Sequence, residues 1–154
     1  MIRLTQDQRL NLSLAGEHYV VAELRRREVH ATIAHGNQRQ TDVLAFGGDR
    51  LVTVEVKTTR TGISWPVSAV GPKAGAWVFV SIPDFPTPPA DAAAAAFFIL
   101  TRDEVTALVG RIRAEYLRAH PNYKEVNPLW DITFADVEPH RGAWQKITGL
   151  LAEP

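Results

Sequence analysis

Two acids and a lysine stand out by their types and spacing: Asp42, Glu55 and Lys57, within the stretch TDVLAFGGDRLVTVEVKTT, residues 41–59. The stretch reads as two strands, Asp42 to Phe46 and Leu51 to Lys57, joined by a tight turn at Gly48-Asp49. Glycine accepts the positive φ that such turns need. With that turn, Phe46 faces Leu51, and counting outward brings Asp42 opposite Glu55. Facing residues of an antiparallel pair share one side of the sheet. Lys57 lies two residues beyond Glu55, on that same side. Two carboxylates and an ammonium therefore converge at one end of a hairpin.

Such a cluster opposes folding unless something offsets it. Like charges facing across a ladder repel. Val43, Ala45, Val52, Val54 and Val56 fill one face of these strands, and Leu44, Phe46 and Leu51 the other. Strands apolar on both faces are covered on both sides, and a charge on a covered strand is costly unless paired or metal-bound. A hard divalent ion, Mg²⁺ or Mn²⁺, takes oxygen ligands and resolves the conflict. Lys57 is then placed to orient an attacking water or to steady charge developing on a phosphate. The plain alternative is a salt-bridged strand end, with Lys57 neutralising Glu55.

The elements that must hold this hairpin can be read along the chain. Thr5 and Gln8 have the spacing of a capping box, opening a helix from Gln6 to about Arg27. Leu10, Leu14, Val21 and Leu24 predict its buried stripe, widened by Leu12, Tyr19 and Val20. Gly16 interrupts the helix, and a small residue there permits close packing against a sheet. Glu17 follows directly, beside the predicted core face. Residues 29–34 read as a short strand, and residues 36–40 as a polar turn carrying Arg39 and Gln40. Residues 62–75, with two prolines and three glycines, read as an irregular excursion with a short turn at most. Trp65 within it is expected to anchor the loop to the core. Residues 76–82 and 97–100 read as buried strands. Thr101 and Glu104 form a second capping box, opening a helix that ends near His120. Trp130, Ile132, Phe134 and Val137 suggest a further extended segment, and Pro139 a final helix.

Composition sets the outer bounds. The 154 residues are expected to form a single domain, 1–154, with a core of its own. The hydrophobic share is 45% and the charged share 22%, ordinary for a globular protein. There is no cysteine, so disulfides and zinc-thiolate sites are excluded, which fits a cytoplasmic protein. No apolar run has the length of a membrane span. Lys+Arg and Asp+Glu both number 17, so bulk electrostatics does not favour nucleic acid; a local groove or a metal-offset site stays open.

The order helix, strand, hairpin, strand, strand, helix, with an acid followed by Glu-x-Lys on the hairpin, resembles the PD-(D/E)XK nuclease superfamily. Asp42 matches the first acid of its motif, Glu55 the second and Lys57 the lysine. Glu17 matches an additional acid found in several branches, including relatives of archaeal Holliday-junction resolvases. The chain is similar to small uncharacterised bacterial PD-(D/E)XK-like proteins through Trp77-Val78-Phe79-Val80, Phe97-Phe98-Ile99-Leu100, Thr101 to Glu104, and Glu138 to Ile147. Thr41 stands where the motif's name has proline.

The resemblance implies an α/β, restriction-endonuclease-like fold: a mixed central sheet with flanking helices, core order α-β-β-β-(short α/loop)-β-β-α. It implies a metal-dependent nuclease cutting phosphodiester bonds, in DNA, as an endonuclease or resolvase. Mg²⁺ or Mn²⁺ would be held by Asp42, Glu55, the Val56 carbonyl and Glu17, with Lys57 positioning the attacking water. Arg39, Gln40, Thr58, Thr59 and Arg60 are the candidate substrate contacts. The expected partner is nucleic acid, with a homodimer where both strands are cut, and no membrane. The competing readings are a catalytically degenerate binding partner on the same fold, in a repair, restriction or mobile-element system, and an unrelated α/β domain with a fortuitous D…E-x-K pattern.

Overall fold

A computed structural model describes residues 3–34, 41–60, 64–68, 73–86, 90, 94–124 and 129–152. Helix α1 spans Gln6–Arg25, and its capping box is present: the Thr5 hydroxyl accepts from the Gln8 N–H, and the Gln8 side chain accepts from the Thr5 N–H. Strands β1 (His30–Ile33), β2 (Val43–Gly47) and β3 (Arg50–Thr59) follow, then β4 (Ser64–Ser68), β5 (Ala76–Ser81) and β6 (Ala96–Thr101). Helix α2 (Arg102–Ala119) opens on the Thr101/Glu104 box. Strand β7 (Leu129–Thr133), the short helix α3 (Phe134–Val137), a 3₁₀ turn at Glu138–His140 and helix α4 (Gln145–Ala152) complete the order.

The main sheet has five strands in the order β1-β2-β3-β5-β6. It is mixed, with the β3–β5 pair parallel and the other pairs antiparallel. The hairpin forms in the register expected, with Phe46 opposite Leu51 and Gly47 opposite Arg50. Gly48 takes φ 56° in the turn, a conformation that suits glycine. Strand β3 is central and covered on both faces. Val52, Val54 and Val56 join Val20 and Leu24 of α1 and Trp144, Ile147 and Leu151 of the C-terminal segment in one core. On the other face Trp77, Phe79, Phe98 and Leu100 pack under β4, β7 and α2.

Three expectations are corrected. Within the excursion expected at 62–75, Ser64–Ser68 are neither short helix nor plain loop: they form β4, which pairs antiparallel with β7 in a second, two-stranded sheet. The link from β3 to its parallel neighbour β5 thus runs through a strand. Alternate residues Trp65 and Val67 are buried while Pro66 is exposed, a two-residue period that the prolines and glycines around it conceal. Trp65 is 1% exposed, its indole N–H donates to the Val80 carbonyl at 3.1 Å, and it stacks on Phe134 with centroids 4.6 Å apart. It is the anchor expected.

The buried line of α1 is Leu12, Gly16, Val20 and Leu24: Leu24 of the predicted stripe and Leu12 and Val20 of its widening are buried, and Gly16 packs closely against the sheet as expected. Leu10, Leu14 and Tyr19 are exposed. The buried residues repeat every four positions, and one of them is a glycine, which hydrophobicity does not mark. Finally, Pro139 lies in the 3₁₀ turn and the last helix begins at Gln145; Phe134 and Val137 belong to a short helix and not to a strand.

Candidate active site

Strand β3 positions two of the predicted residues. Glu55 sits opposite Trp77 and Lys57 opposite Phe79 in the parallel ladder with β5, so both side chains share one face. The Lys57 ammonium lies 2.7 Å from Glu55 Oε1 and 5.8 Å from the centroid of the Trp77 ring. Glu55 is 5% exposed, and its Oε2 is buried with no hydrogen-bond partner. A covered strand has few polar neighbours to offer, which is why this oxygen is orphaned.

Asp42 arrives from the start of β2. The regular ladder ends at Val43 opposite Val54, one pair short of Asp42 and Glu55. The Asp42 N–H also donates to the Val54 carbonyl, at 3.0 Å. Two residues set against one is the arrangement of a β-bulge, a device that re-aims a side chain. Asp42 Oδ2 accepts the Val56 N–H at 2.7 Å, bridging the two strands where the ladder stops.

Glu17 comes from α1, which crosses β3 at Gly16. Burial pushes the Glu17 carboxyl up from its ordinary value; the Asp42 and Glu55 charges push it further, and a hydrogen bond from Ser13 holds it back. Burial likewise raises Asp42, opposed by the Val56 N–H and Lys57. Burial also raises Glu55, opposed by the Lys57 hydrogen bond and charge and aided by Asp42. Three acids drawn from three elements thus share one field, and each is harder to ionise than in water.

The remaining candidates separate. Arg39 and Gln40 lie outside the described residues. The Thr58 hydroxyl is buried against α1, which removes it from a substrate's reach. Thr59 and Arg60 stand partly exposed at the end of β3. Two contributors escaped the sequence reading. Ser13 lies one helical turn before Glu17, a spacing that would have found it. Trp77 meets Lys57 only through the parallel β3–β5 register, which no local pattern encodes.

The donor set suits a hard divalent ion: all its ligand atoms are oxygens, one is orphaned, and the acids repel one another. Among the described residues, no three His, Cys, Asp or Glu side chains already stand close enough to hold a metal between them.

No protein-family model and no curated protein matches the sequence. Solved structures do match in fold. A bacterial homing endonuclease, I-Ssp6803I, superposes with a TM-score of 0.55 at 10% identity, over 90% of this chain and 91% of that one. The Holliday junction resolvase Hjc of Archaeoglobus fulgidus superposes with a TM-score of 0.50 at 13% identity, over 87% and 94%. The fold is restriction-endonuclease-like, a mixed five-stranded sheet with flanking helices. Within it, Glu55 and Lys57 lie on β3, and Asp42 lies just before β2. Among the described residues, no helix is long and apolar enough to cross a membrane.

Proposed function

We propose that the protein is a metal-dependent nuclease that hydrolyses phosphodiester bonds, with DNA as substrate. The observation that carries the reading is the Glu55 carboxylate, buried on a covered strand with one oxygen on Lys57 and the other without a partner, in the field of Asp42 and Glu17. This concentration of uncompensated acid opposes folding. A divalent cation compensates it, and Asp42, Glu55, Glu17 and the Val56 carbonyl are the groups that would hold one. The two solved neighbours, a homing endonuclease and a Holliday junction resolvase, support DNA as the substrate class.

A bound Mg²⁺ or Mn²⁺ supplies Lewis-acid charge at the phosphate and eases deprotonation of water. The chain's own residues do the rest. Lys57 has three N–H donors and spends one on Glu55 Oε1. The others are available to an attacking water or a non-bridging phosphate oxygen. Trp77 lies beneath the ammonium and narrows the directions it can take. Asp42 is braced by the Val56 N–H, so its carboxylate does not swing away when charge accumulates nearby. Thr59 and Arg60 extend from the same strand end toward a substrate backbone.

The zero net charge favours a second reading, a non-catalytic binding partner on the same fold. The deciding experiment is calorimetric Mn²⁺ titration of wild type and Asp42→Ala, with and without a short DNA duplex, followed by cleavage assays on duplex, single-stranded and four-way-junction DNA. Metal binding lost in the variant, with Mn²⁺-dependent cleavage by wild type, is the expected result. Metal binding without cleavage of any substrate would favour the second reading. No metal binding in either protein would overturn the nuclease proposal.

A further inference from the structure

The first helix approaches β3 more closely than a side chain would allow. A Cβ built on Gly16 would lie 1.9 Å from Thr58 Oγ1, 3.0 Å from Thr58 Cβ and 3.1 Å from Thr58 Cγ2. Rotating the threonine can turn its Cβ hydrogen toward the helix in place of the hydroxyl, but leaves Cβ itself 3.0 Å away. An alanine at position 16 therefore needs α1 to move outward by about 0.5–1 Å to reach ordinary contact distance. The contact has no polar purpose of its own, because Thr58 Oγ1 is buried without a partner. Gly16 is also the residue immediately before Glu17, and Glu17 is the only member of the acidic set that α1 contributes. Its hydrogen-bond partner Ser13 is on the same helix, so Glu17 moves with α1 and has no anchor on the sheet through Ser13.

We propose that the Gly16–Thr58 contact is the positioning device that sets how far Glu17 reaches toward Asp42 and Glu55, and so tunes the affinity of the site for a divalent cation. The inference rests on the metal-site reading above. A displacement on the order of 1 Å is enough to change a site's performance by about 100-fold. Helix propensity predicts the opposite: alanine at an interior helix position is favoured over glycine, so a glycine kept only by chance would gain stability on replacement.

Wild type, Gly16→Ala, Thr58→Gly and the double variant would be compared by urea unfolding in EDTA and by calorimetric Mn²⁺ titration. The expected result is an about tenfold or greater loss of Mn²⁺ affinity in Gly16→Ala, a smaller change in Thr58→Gly, where the contact is lost without pushing the helix outward, and recovery in the double variant relative to Gly16→Ala, where the space is restored. If Gly16→Ala does not fold, the double variant must fold and bind. Unaltered Mn²⁺ affinity in a folded Gly16→Ala overturns the positioning role, as does a folded double variant that fails to recover. Absence of Mn²⁺ uptake by wild type overturns the metal-site reading and this proposal with it.

Discussion

The Lys57 ammonium holds one oxygen of Glu55 at 2.7 Å, while the other oxygen of the same carboxylate is buried with no hydrogen bond. The pair is half of an arrangement: it neutralises charge on one side and leaves an acceptor open on the other. Lys57→Met takes the ammonium away and leaves a buried carboxylate with nothing opposite it. Loss of one charged hydrogen-bond partner costs about 1–3 kcal/mol. That loss should appear in urea unfolding at pH 7 in EDTA and shrink in acid, where Glu55 is protonated. Lys57→Arg should retain most of the stability. If the enzyme reading holds, cleavage by Lys57→Met falls by about 10²–10³, the usual loss for a missing transition-state donor. A methionine variant as stable as wild type at pH 7 would show that the ion pair contributes nothing.

Glu17 offers a test of sign. Its carboxyl is raised by burial and by its acidic neighbours, so the folded chain binds that proton more tightly than the unfolded chain does. The cost is absent below the unfolded value near ~4 and grows as pH rises through the raised folded one. Glu17→Gln should therefore be more stable than wild type at pH 7 in EDTA, with the difference vanishing near pH 3. The comparison must be between variant and wild type. In Glu104 burial is outweighed by Lys146 and the Thr101 N–H, and in Asp136 by Thr133 and Arg111, so their contributions run the other way. Saturating Mn²⁺ should reverse the order, since metal bound only by the folded state stabilises it. Thermal melts across pH, with and without Mn²⁺, measure both. A glutamine variant less stable than wild type at pH 7 in EDTA would rule out the strained-acid account.

How far the sequence discloses these arrangements depends on the range of the interaction. The hairpin was legible because its information is local: Gly48 at the turn fixes the register, and the register puts Glu55 and Lys57 on one face. Both capping boxes were legible for the same reason. The bulge at Asp42 was not, because it depends on where the ladder stops rather than on which residues compose it. The buried line of α1 was read in part: Leu12, Val20 and Leu24 are buried and Gly16 makes the close approach its size permits, whereas Leu10, Leu14 and Tyr19 face solvent because the helix meets the sheet along the glycine's line. Strand β4 was missed because its partner β7 lies far along the chain, with Ser64 opposite Thr133.

That long-range pairing makes its own prediction. Trp65 on β4 packs edge-on to Phe79 and Phe98 and stacks on Phe134, joining the small sheet to the large one. Its N–H also pairs with the Val80 carbonyl, which Trp65→Ala would leave without that donor. The cost should be about 3–5 kcal/mol, as for other large aromatic deletions in a core, read from the urea midpoint at unchanged m-value. Trp65→Phe should lose less, keeping most of the ring contacts and forfeiting the hydrogen bond. A cost below about 1 kcal/mol for the alanine variant would mean that β4 and β7 are a peripheral flap.

The even charge balance, 17 basic against 17 acidic residues, sets what the proposed DNA binding should look like. Each neutralised phosphate adds about 0.9 to the slope of log affinity against log salt, and strongly basic binders reach slopes near −10. With no basic excess, this chain should show a shallow slope, about −2 to −4. Arg60 follows directly on β3, partly exposed and three residues past Lys57. If it contacts the backbone of a substrate at that strand end, Arg60→Ala should weaken binding to all sequences alike and lower the slope magnitude by about 1. Fluorescence anisotropy on a labelled duplex in EDTA, from low to physiological salt, measures both numbers. A slope unchanged in Arg60→Ala would remove Arg60 from the phosphate contacts.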